Sequence, residues 1–377
     1  MAPMKSIDLF TGIGGLTMAL HDLGVRPLVY CEKEPAAQQV LQNLMQRGSL
    51  PDAPIHDDVQ TLVPPRGADL VMGGFPCQGF SDAGIRQGLR HAGSSLISSV
   101  YRIVRQAAPA VVFLENVSTI LTKQHVADFQ SILQTFHAMG YDGRYVRVRG
   151  HDIQCPQKRD RVYMLFHRRG TPLPALEVAS SYRRFEWTRE PVPRMTHEKP
   201  NGKTKRYKLL GNSVIPELTR LAFLTLWSGL VVPAPQLYTL RTIAFHPDGP
   251  PTPSLNAPSA GSGSAGIVRE GTIAFVDKPA MFPYTPPTFV LDPALYTPPA
   301  NNQVRSEALT GKVETHGWAT IRTHSSGANT IMTERARSDI GTQLRFARDT
   351  PDAQRSGTPN LTFYEWLMGY PAEWTVM

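Results

Sequence analysis

Short apolar runs alternate with segments of helical periodicity between Ser6 and about Arg168, and this alternation limits the possible folds more than any other feature of the chain. Strands that are joined through helices pair in parallel and form a sheet with helices on its faces. The pattern predicts strands at Ser6–Phe10, Leu28–Cys31, Asp69–Met72, Val111–Leu114, Tyr145–Arg149 and Arg161–Phe166, and helices at Leu16–Leu23, Pro35–Met45, Ser95–Gln106 and Val126–Met139. We therefore predict an α/β domain with a doubly wound, mostly parallel sheet.

The remainder of the chain predicts a second, smaller unit and a return to the core. The sequence LLGNSVIP at Leu209–Pro216 is followed by a helix-like apolar run that reaches Leu230. Prolines are dense after Val231, and PSAGSGSAG at Pro258–Gly266 has the composition of a flexible loop. The predicted parts are an α/β domain at residues 1–230, a smaller, irregular β-rich domain at 231–349, and a C-terminal segment at 350–377 that packs back on the core.

The chain is basic, with 39 Lys and Arg against 31 Asp and Glu and a formal net charge of +8. Such an excess favours a polyanionic partner such as nucleic acid. Much of the excess falls between Arg144 and Lys208. That stretch is either a solvated basic face or a track for phosphates, and the sequence does not separate the two.

The cysteines and the longest apolar runs exclude several classes of protein. Cys31, Cys77 and Cys155 are too few and too dispersed for a disulfide framework, and none has the spacing of a zinc ligand. We therefore expect a reducing compartment and no metal. Asp8 interrupts the first apolar run, which argues against a secretory signal. The longest run, Leu218–Val232, is too short to span a membrane, so we expect a soluble protein.

A glycine-rich turn follows the first predicted strand, in the sequence DLFTGIGG at Asp8–Gly15. Glycines between a strand and a helix let the backbone approach a ligand and present free amides to it. Glu32 ends the next strand, where a carboxylate can accept hydrogen bonds from both hydroxyls of a ribose. Asp58 follows the third unit and could hold an adenine amino group. These positions together predict a site for a nucleoside cofactor, although a glycine-rich turn alone is often only a tight turn.

Cys77 lies in GGFPCQGFS at Gly73–Ser81, directly after a predicted strand. The carboxyl end of a parallel strand is where such sheets bind ligands, and a thiolate is a strong nucleophile. Free cysteine is nevertheless among the most buried residue types, so the local sequence by itself favours a core thiol. The residues beside later strands decide between the two interpretations.

Two further polar groups stand beside predicted strands. Glu115 and Asn116 follow an apolar strand, and a carboxyl partly buried there could donate a proton to a substrate nitrogen or share one with it. Arg159 and Arg161 lie at the start of the sixth strand, and residues two apart point to the same face of extended backbone. One arginine could reach a base carbonyl and the other a phosphate or carboxylate, although an ordinary charged loop is the simpler interpretation.

The segments DLFTGIGG, GFPCQ, ENV, QKRDR and GNSV resemble the motif series of the C5-cytosine-specific DNA methyltransferase family. The resemblance implies a Rossmann-like, S-adenosylmethionine-dependent methyltransferase fold. The catalytic residues that it implies are Cys77 as nucleophile, Glu115 as the acid at the cytosine ring, and Arg159 and Arg161 as the basic pair near the base. The residues that it implies for the S-adenosylmethionine site are Phe10, Gly12, Gly14, Glu32, Asp58, Pro76, Leu96, Asn212 and Ser213.

The resemblance also implies a reaction and a partner. The methyl group of S-adenosylmethionine would pass to carbon 5 of a cytosine in a specific sequence of double-stranded DNA, through a covalent bond between Cys77 and carbon 6. Because a paired base is inaccessible, the cytosine would flip out of the duplex. Catalysis would belong to residues 1–230 and target recognition to 231–349. We expect a monomer in a restriction–modification system, cytoplasmic if of prokaryotic or viral type and nuclear if eukaryotic.

The order of the motifs departs from the usual order of the family. GNSV normally comes last, but here it precedes the predicted recognition domain, and Asn360–Thr375 resembles the structural segment that usually comes before GNSV. This rearrangement affects the predicted domain boundaries more than the chemistry. Within the segment, Trp366 and Tyr370 could stack on bases, but their helical spacing beside Leu367 favours core packing.

Two alternatives stay open. An RNA (tRNA) cytosine-5 methyltransferase would use the same scaffold, usually with a smaller and less proline-rich insert. A non-catalytic DNA-binding relative would act by interaction alone, although it has no chemical reason to keep Cys77, Glu115 and Arg161 together.

Overall fold

The structure, a computed structural model, describes most of the α/β part of the chain and its C-terminal residues. Cys77 lies outside the described residues, as does almost all of the predicted recognition domain at 231–349. The described residues are 2–76, 94–122, 124–157, 159–176, 184–185, 187, 189–198, 200–231, 242–245 and 357–377.

The strands of the described residues form one large sheet and one small one. They are β1 Met4–Leu9, β2 Val25–Cys31, β3 Ile55–His56, β4 Leu70–Gly74, β5 Val111–Val117, β6 Tyr141–Arg149, β7 Asp160–Arg168, β8 Met195–Thr196, β9 Thr242–Phe245 and β10 Thr358–Pro359. The large sheet has the order β3-β2-β1-β4-β5-β7-β6-β9, and β8 pairs with β10. Strands β1 to β5 pair in parallel, whereas β6, β7 and β9 pair antiparallel. The prediction of a mostly parallel sheet is confirmed.

Helices cover both faces of this sheet, as a doubly wound fold requires. They are α1 Gly15–Leu20, α2 Pro35–Gln46, α3 Ser94–Ala107, α4 Val126–Ala138, α5 Lys203–Asn212, α6 Pro216–Val231 and α7 Leu361–Leu367. Helices α3 and α4 pack on one face and the other five on the opposite face. Because side chains alternate along a strand, Val111 and Phe113 of β5 enter one core while Val112 and Leu114 enter the other. No helix of the described part of the chain is long and apolar enough to cross a membrane.

Several elements differ from the prediction: β2 and β6 begin earlier, at Val25 and Tyr141, and β3, β8, β9, β10 and α5 lie outside the predicted elements. Strand β5 continues to Val117, so Glu115 and Asn116 lie within the strand rather than in the loop after it. Its antiparallel pairing with β7 extends it, because each strand satisfies the backbone groups of the other. Strand β3 escaped prediction because its two residues, Ile55 and His56, are too few to display a periodicity.

Residues 357–377, called the C-terminal segment below, are joined to α5 by a buried ion pair. The carboxylate of Glu365 accepts a hydrogen bond from Nη2 of Arg206 at 3.2 Å. It also accepts hydrogen bonds from the backbone amides of Glu373 at 2.8 Å and Thr375 at 2.9 Å. A cation and two amides thus compensate the charge of Glu365, which is fully buried.

The aromatic residues of the C-terminal segment belong to the hydrophobic core. Trp366 is 7% exposed and Tyr370 is 1% exposed. The prediction that they pack in the core rather than stack on bases is confirmed.

Arg206→Met should destabilise the fold, because it leaves the buried carboxylate of Glu365 without its cation. We expect the free energy of unfolding to fall by about 3 kcal/mol, as measured by urea denaturation. Lys208→Met is the matched control on the same helix. Lys208 pairs with Glu34 at 3.4 Å with both side chains about half exposed, so its loss should cost about 0.5 kcal/mol or less. Equal losses in the two variants would contradict the role of Arg206.

Candidate active site

The carboxyl ends of four neighbouring parallel strands meet at one edge of the sheet. Strands β2, β1, β4 and β5 lie side by side in that order. At or near these ends stand Glu32, the glycine-rich turn, Gly74 and Glu115, respectively, with Glu115 two residues before the last residue of β5. Ligands of open α/β sheets bind at this edge. The fold therefore brings the predicted cofactor residues, Glu32 and the glycine-rich turn, to the same edge as Glu115, which is predicted to be catalytic.

The glycine-rich turn has a backbone that requires glycine. Gly12 and Gly14 have φ angles of +57° and +80°. At the φ of Gly14 any side chain would be strained, and a Cβ there would also lie 2.4 Å from Cδ1 of Leu50, which would have to shift. Around Gly12 the closest contact of such a Cβ is the carbonyl oxygen of Phe10 at 4.0 Å, so this part of the turn faces open space. A ligand can therefore approach the backbone at Gly12.

Glu32 ties the end of β2 to this turn. Its Oε2 accepts a hydrogen bond from the amide of Gly12 at 2.7 Å, and its Oε1 accepts one from the amide of Glu34 at 2.7 Å. Burial raises the pKa of Glu32 above its ordinary value, against the opposing effect of these amides. Each carboxylate oxygen can accept more than one hydrogen bond, so Glu32 can still receive a ligand hydroxyl.

Asp58 stands beside Lys33, the residue that follows Glu32. The ammonium of Lys33 donates to Oδ2 of Asp58 at 3.1 Å, and the amide of Gln60 donates to Oδ1 at 2.9 Å. The Gln60 amide, and after it Lys33, hold the pKa of Asp58 below its ordinary value. A ligand amino group bound to Asp58 would therefore share the carboxylate with Lys33.

Glu115 and Arg161 form an ion pair across β5 and β7. Nε of Arg161 lies 2.8 Å from Oε1 of Glu115, and each side chain is 12% exposed. Glu115 pairs with Tyr163 in the antiparallel register of β5 and β7. Arg161 precedes Tyr163 by two residues, so its side chain lies on the same face of the sheet as that of Glu115. The other oxygen, Oε2, would lie 2.9 Å from a Cβ on Gly74. Gly74 thus leaves the space that the Glu115 carboxylate occupies.

Asn116 connects β5 to the exit of β4. Its Nδ2 donates to the carbonyl oxygen of Phe75 at 3.3 Å, and the side chain is buried. The next residue, Pro76, is exposed. Asn116 therefore holds the chain just before Cys77, which itself lies outside the described residues.

Arg159 has different partners from Arg161. It precedes β7, and its guanidinium donates to the carbonyl oxygens of Gly211, at 3.3 Å from Nη1, and of Ser213. The side chain is 1% exposed, and burial, followed by the nearby charge of Arg161, lowers its pKa to about 9. Arg159 thus holds Gly211–Val214, the last two residues of α5 and the two that follow, which are called the GNSV loop below, whereas Arg161 holds Glu115.

The remaining predicted cofactor residues differ in their exposure. Leu96, near the start of α3, is partly buried, and Asn212, at the end of α5, is exposed. Ser213 is buried, and its hydroxyl donates to the carbonyl oxygen of Leu210 at 2.9 Å. Asn212 is therefore better placed than Ser213 to contact a bound molecule through its side chain.

Many of the basic side chains between Arg144 and Lys208 are paired within the protein. The carboxylate pairs are Arg147 and Arg149 with Asp160, Arg161 with Glu115, Arg169 with Asp142, Arg184 with Glu217, Arg194 with Glu190, Arg206 with Glu365, and Lys208 with Glu34. The excess positive charge of this stretch is therefore smaller at the surface than the sequence indicates. This weakens its interpretation as a track for phosphates.

Asp8 is a buried acid beneath the glycine-rich turn to which the sequence analysis gave no role. Its Oδ2 accepts a hydrogen bond from the hydroxyl of Thr17 at 2.7 Å, and its Oδ1 has no hydrogen-bond partner among the described residues. Burial raises the pKa of Asp8 to about 7. An acid between the apolar residues Ile7 and Leu9 of β1 is the signal that could have identified it.

Asp8 should make the stability of the protein depend on pH. Its pKa rises from 3.8 to about 7 on folding, so between these values the folded chain keeps a proton that the unfolded chain has lost. The retained proton stabilises the folded state, and this stabilisation is fully present below the pKa of Asp8 in the unfolded chain. It is lost as the pH rises through about 7, and the total loss is roughly 4 kcal/mol. We expect Asp8→Asn to flatten the dependence of the melting temperature on pH between about 5 and 8. Identical profiles for the two proteins would contradict the raised pKa.

Comparison with known proteins gives a family and several relatives. A family model for C-5 cytosine-specific DNA methylases matches residues 4–200. Type II methyltransferase M.CviJI of Paramecium bursaria Chlorella virus IL3A is 29% identical over 228 residues, which are 60% of this chain and 60% of that protein. Type II methyltransferase M.HhaI of Haemophilus parahaemolyticus is 32% identical over 165 residues, which are 44% of this chain and 49% of that protein. The chain thus spans between about half and three fifths of the length of these relatives.

The matched residues contain the features that meet at the edge of the sheet. They run from β1 past β8 and include the glycine-rich turn, Glu32, Gly74 and the pair of Glu115 and Arg161. Because they make up more than half of the 377 residues, the chain belongs to the family of C-5 cytosine-specific DNA methylases.

Proposed function

We propose that the chain is a DNA (cytosine-5-)-methyltransferase (EC 2.1.1.37), which transfers a methyl group from S-adenosylmethionine to carbon 5 of cytosine. One observation carries the proposal: the Glu115 carboxylate, paired with Arg161, lies against Gly74, three residues before Cys77. An acid on one strand and a nucleophile that follows the neighbouring strand in the sequence suit the activation of a ring carbon that is a poor nucleophile by itself. Membership of the family supports the same reaction.

The residues around the glycine-rich turn fit a nucleoside cofactor. The backbone at Gly12 faces open space, and the carboxylate of Glu32 beside it can accept further hydrogen bonds. In the proposed complex Glu32 accepts hydrogen bonds from the ribose hydroxyls, and Asp58 accepts one from the adenine amino group in competition with Lys33. S-adenosylmethionine supplies an electrophilic methyl group when it is bound. The other residues of the proposed site are Phe10, Gly14, Pro76, Leu96, Asn212 and Ser213.

In the proposed mechanism the protein makes carbon 5 nucleophilic. The thiolate of Cys77 adds to carbon 6, and Glu115 shares a proton with ring nitrogen 3, so that electron density reaches carbon 5. Carbon 5 takes the methyl group as the bond from methyl to sulfur breaks, which leaves S-adenosylhomocysteine, and the proton of carbon 5 then passes to water. Expulsion of the Cys77 thiolate restores the double bond between carbons 5 and 6. Arg161 orients Glu115, and Arg159 supports the GNSV loop that its guanidinium contacts.

The proposed partner is double-stranded DNA. A cytosine within a duplex is inaccessible to Cys77, so the base has to flip out of the helix. We assign recognition of the DNA sequence to residues 231–349, catalysis to 1–230, and a supporting position on the core to 350–377. A monomer in the cytoplasm of a prokaryotic or virus-infected cell, working in a restriction–modification system, is the setting that we propose.

Methyl transfer from labelled S-adenosylmethionine to duplex DNA by the purified chain tests this function. We expect Cys77→Ala to abolish transfer, because no other group is proposed to add to carbon 6. Glu115→Gln should lower kcat by about a hundredfold or more, with DNA binding nearly unchanged. Cys155→Ala, which removes a buried thiol that hydrogen-bonds to the carbonyl oxygen of Leu367, is the control that keeps activity.

Two results would contradict the proposal. Undiminished transfer by Cys77→Ala would overturn the mechanism. Transfer to tRNA but not to duplex DNA would favour the RNA methyltransferase instead. Bisulfite sequencing of DNA from cells that express the chain then identifies the methylated sequence.

Gly74→Ala tests the position of the Glu115 carboxylate without changing its charge. The nearest obstacle to the added Cβ is Oε2 of Glu115, at 2.9 Å, so the end of that side chain has to move while the backbone can stay. We expect kcat to fall roughly tenfold to a hundredfold, with a melting temperature close to that of the wild type. Gly73→Ala is the matched contrast, because its Cβ would lie 2.8 Å from the backbone oxygen of Leu9 and should cost stability. An unchanged kcat in Gly74→Ala would argue against the proposed placement of Glu115.

A further inference from the structure

The C-terminal segment reaches both loops of the proposed cofactor site through buried hydrogen bonds. Nε1 of Trp374 donates to the carbonyl oxygen of Ile13 in the glycine-rich turn at 2.9 Å. The hydroxyl of Tyr370 donates to the carbonyl oxygen of Val214 in the GNSV loop at 3.0 Å. We propose that Trp374 and Tyr370 are positioning residues, which hold these two loops in the arrangement that binds S-adenosylmethionine. The inference rests on the proposed function.

The bond from Trp374 satisfies a backbone group inside the glycine-rich turn. Ile13 lies between Gly12 and Gly14, and its side chain is fully buried. Trp374 is 5% exposed, so water has little access to the bond. A buried carbonyl without a partner is costly, and this one obtains its donor from a residue 361 positions away in the chain. The shape of the turn therefore depends on the C-terminal segment.

Tyr370 lies where the two loops approach each other. A Cβ on Gly15 would be 2.3 Å from the Tyr370 hydroxyl and 2.7 Å from Cγ2 of Val214. The hydroxyl, the end of the glycine-rich turn and the GNSV loop are thus in close contact. Burial raises the pKa of Tyr370 above its ordinary value, so the hydroxyl stays protonated and remains a donor. One side chain therefore sets the separation of the two loops.

The C-terminal segment has anchors of its own, which let it act as a support. The carboxylate of Glu365 accepts hydrogen bonds from the amides of Glu373 and Thr375 on either side of Trp374. Nδ2 of Asn43 in α2 donates to the carbonyl oxygen of Val376 at 3.1 Å. The rings of Tyr370 and Trp374 stack with centroids 5.4 Å apart. Trp374 and Tyr370 are therefore held in place without help from the loops that they contact.

Trp374→Phe tests the proposal in the full chain, because it keeps an aromatic ring and removes only the N–H donor. The measurement is the Kd of S-adenosylhomocysteine by titration calorimetry, together with KM and kcat for S-adenosylmethionine. We expect the Kd and the KM to rise roughly three- to tenfold, with kcat at saturating cofactor nearly unchanged. Tyr370→Phe should act in the same direction.

Two matched variants separate positioning from general stability. Nε1 of Trp187 donates to the carbonyl oxygen of Trp366 at 2.9 Å, also within the core, and the Tyr207 hydroxyl donates to the carbonyl oxygen of Pro359. Neither bond has a donor or an acceptor in the two loops. We therefore expect Trp187→Phe and Tyr207→Phe to lower the melting temperature about as much as the test variants, but to leave the Kd unchanged.

The possible outcomes differ clearly. A Kd that rises only in the Trp374 and Tyr370 variants supports positioning. A Kd that is unchanged in all four variants, or that rises equally in all four, overturns it. If Trp374→Phe does not fold, the comparison of Tyr370→Phe with Tyr207→Phe decides. A wild-type chain that does not bind S-adenosylhomocysteine contradicts the proposed function itself and this inference with it.

Discussion

The parallel pairing of β1 with β2 on one side and β4 on the other is the interaction on which the rest of the structure depends. Strands that run in one direction end at one edge, so the glycine-rich turn, Glu32 and Gly74 are neighbours although they lie far apart in the chain. Parallel strands need crossover connections, and the helices of these connections build the two apolar layers. The same pairing therefore creates the core and the site.

Buried carboxylates in this fold are compensated in three different ways. Glu115 is paired with Arg161 at the edge of the sheet, where a charge can act on a substrate. Glu365 is paired with Arg206 and two amides, which leaves it committed to structure. Asp8 has a hydroxyl donor and, in the part of the chain that the structure describes, no cation partner, and burial raises its pKa to about 7. The environment of each acid, rather than its residue type, decides what it can do.

The unusual order of the motifs is compatible with the fold because contacts depend on position in space and not on chain order. Glu365 and Arg206 are 159 residues apart in the chain, yet their side chains form one buried pair. The GNSV loop keeps its contacts with Arg159 before it and Tyr370 after it. A long insertion between α6 and the C-terminal segment adds little entropy cost once it is long enough to reach. With the present order of the segments, Arg159 and Tyr370 therefore both contact the loop.

The sequence by itself determined six strands of the large sheet, the helices between them and the identity of the motif residues, because alternating burial leaves a periodic apolar pattern and the chemistry requires particular side chains. It also indicated that Trp366 and Tyr370 belong to the core. Only the tertiary structure decided the partners: Arg159 contacts the GNSV loop while Arg161 contacts Glu115, and Trp374 contacts the glycine-rich turn. Such pairs form between segments that the packing of helices on the sheet brings together, and local periodicity carries no information about that packing.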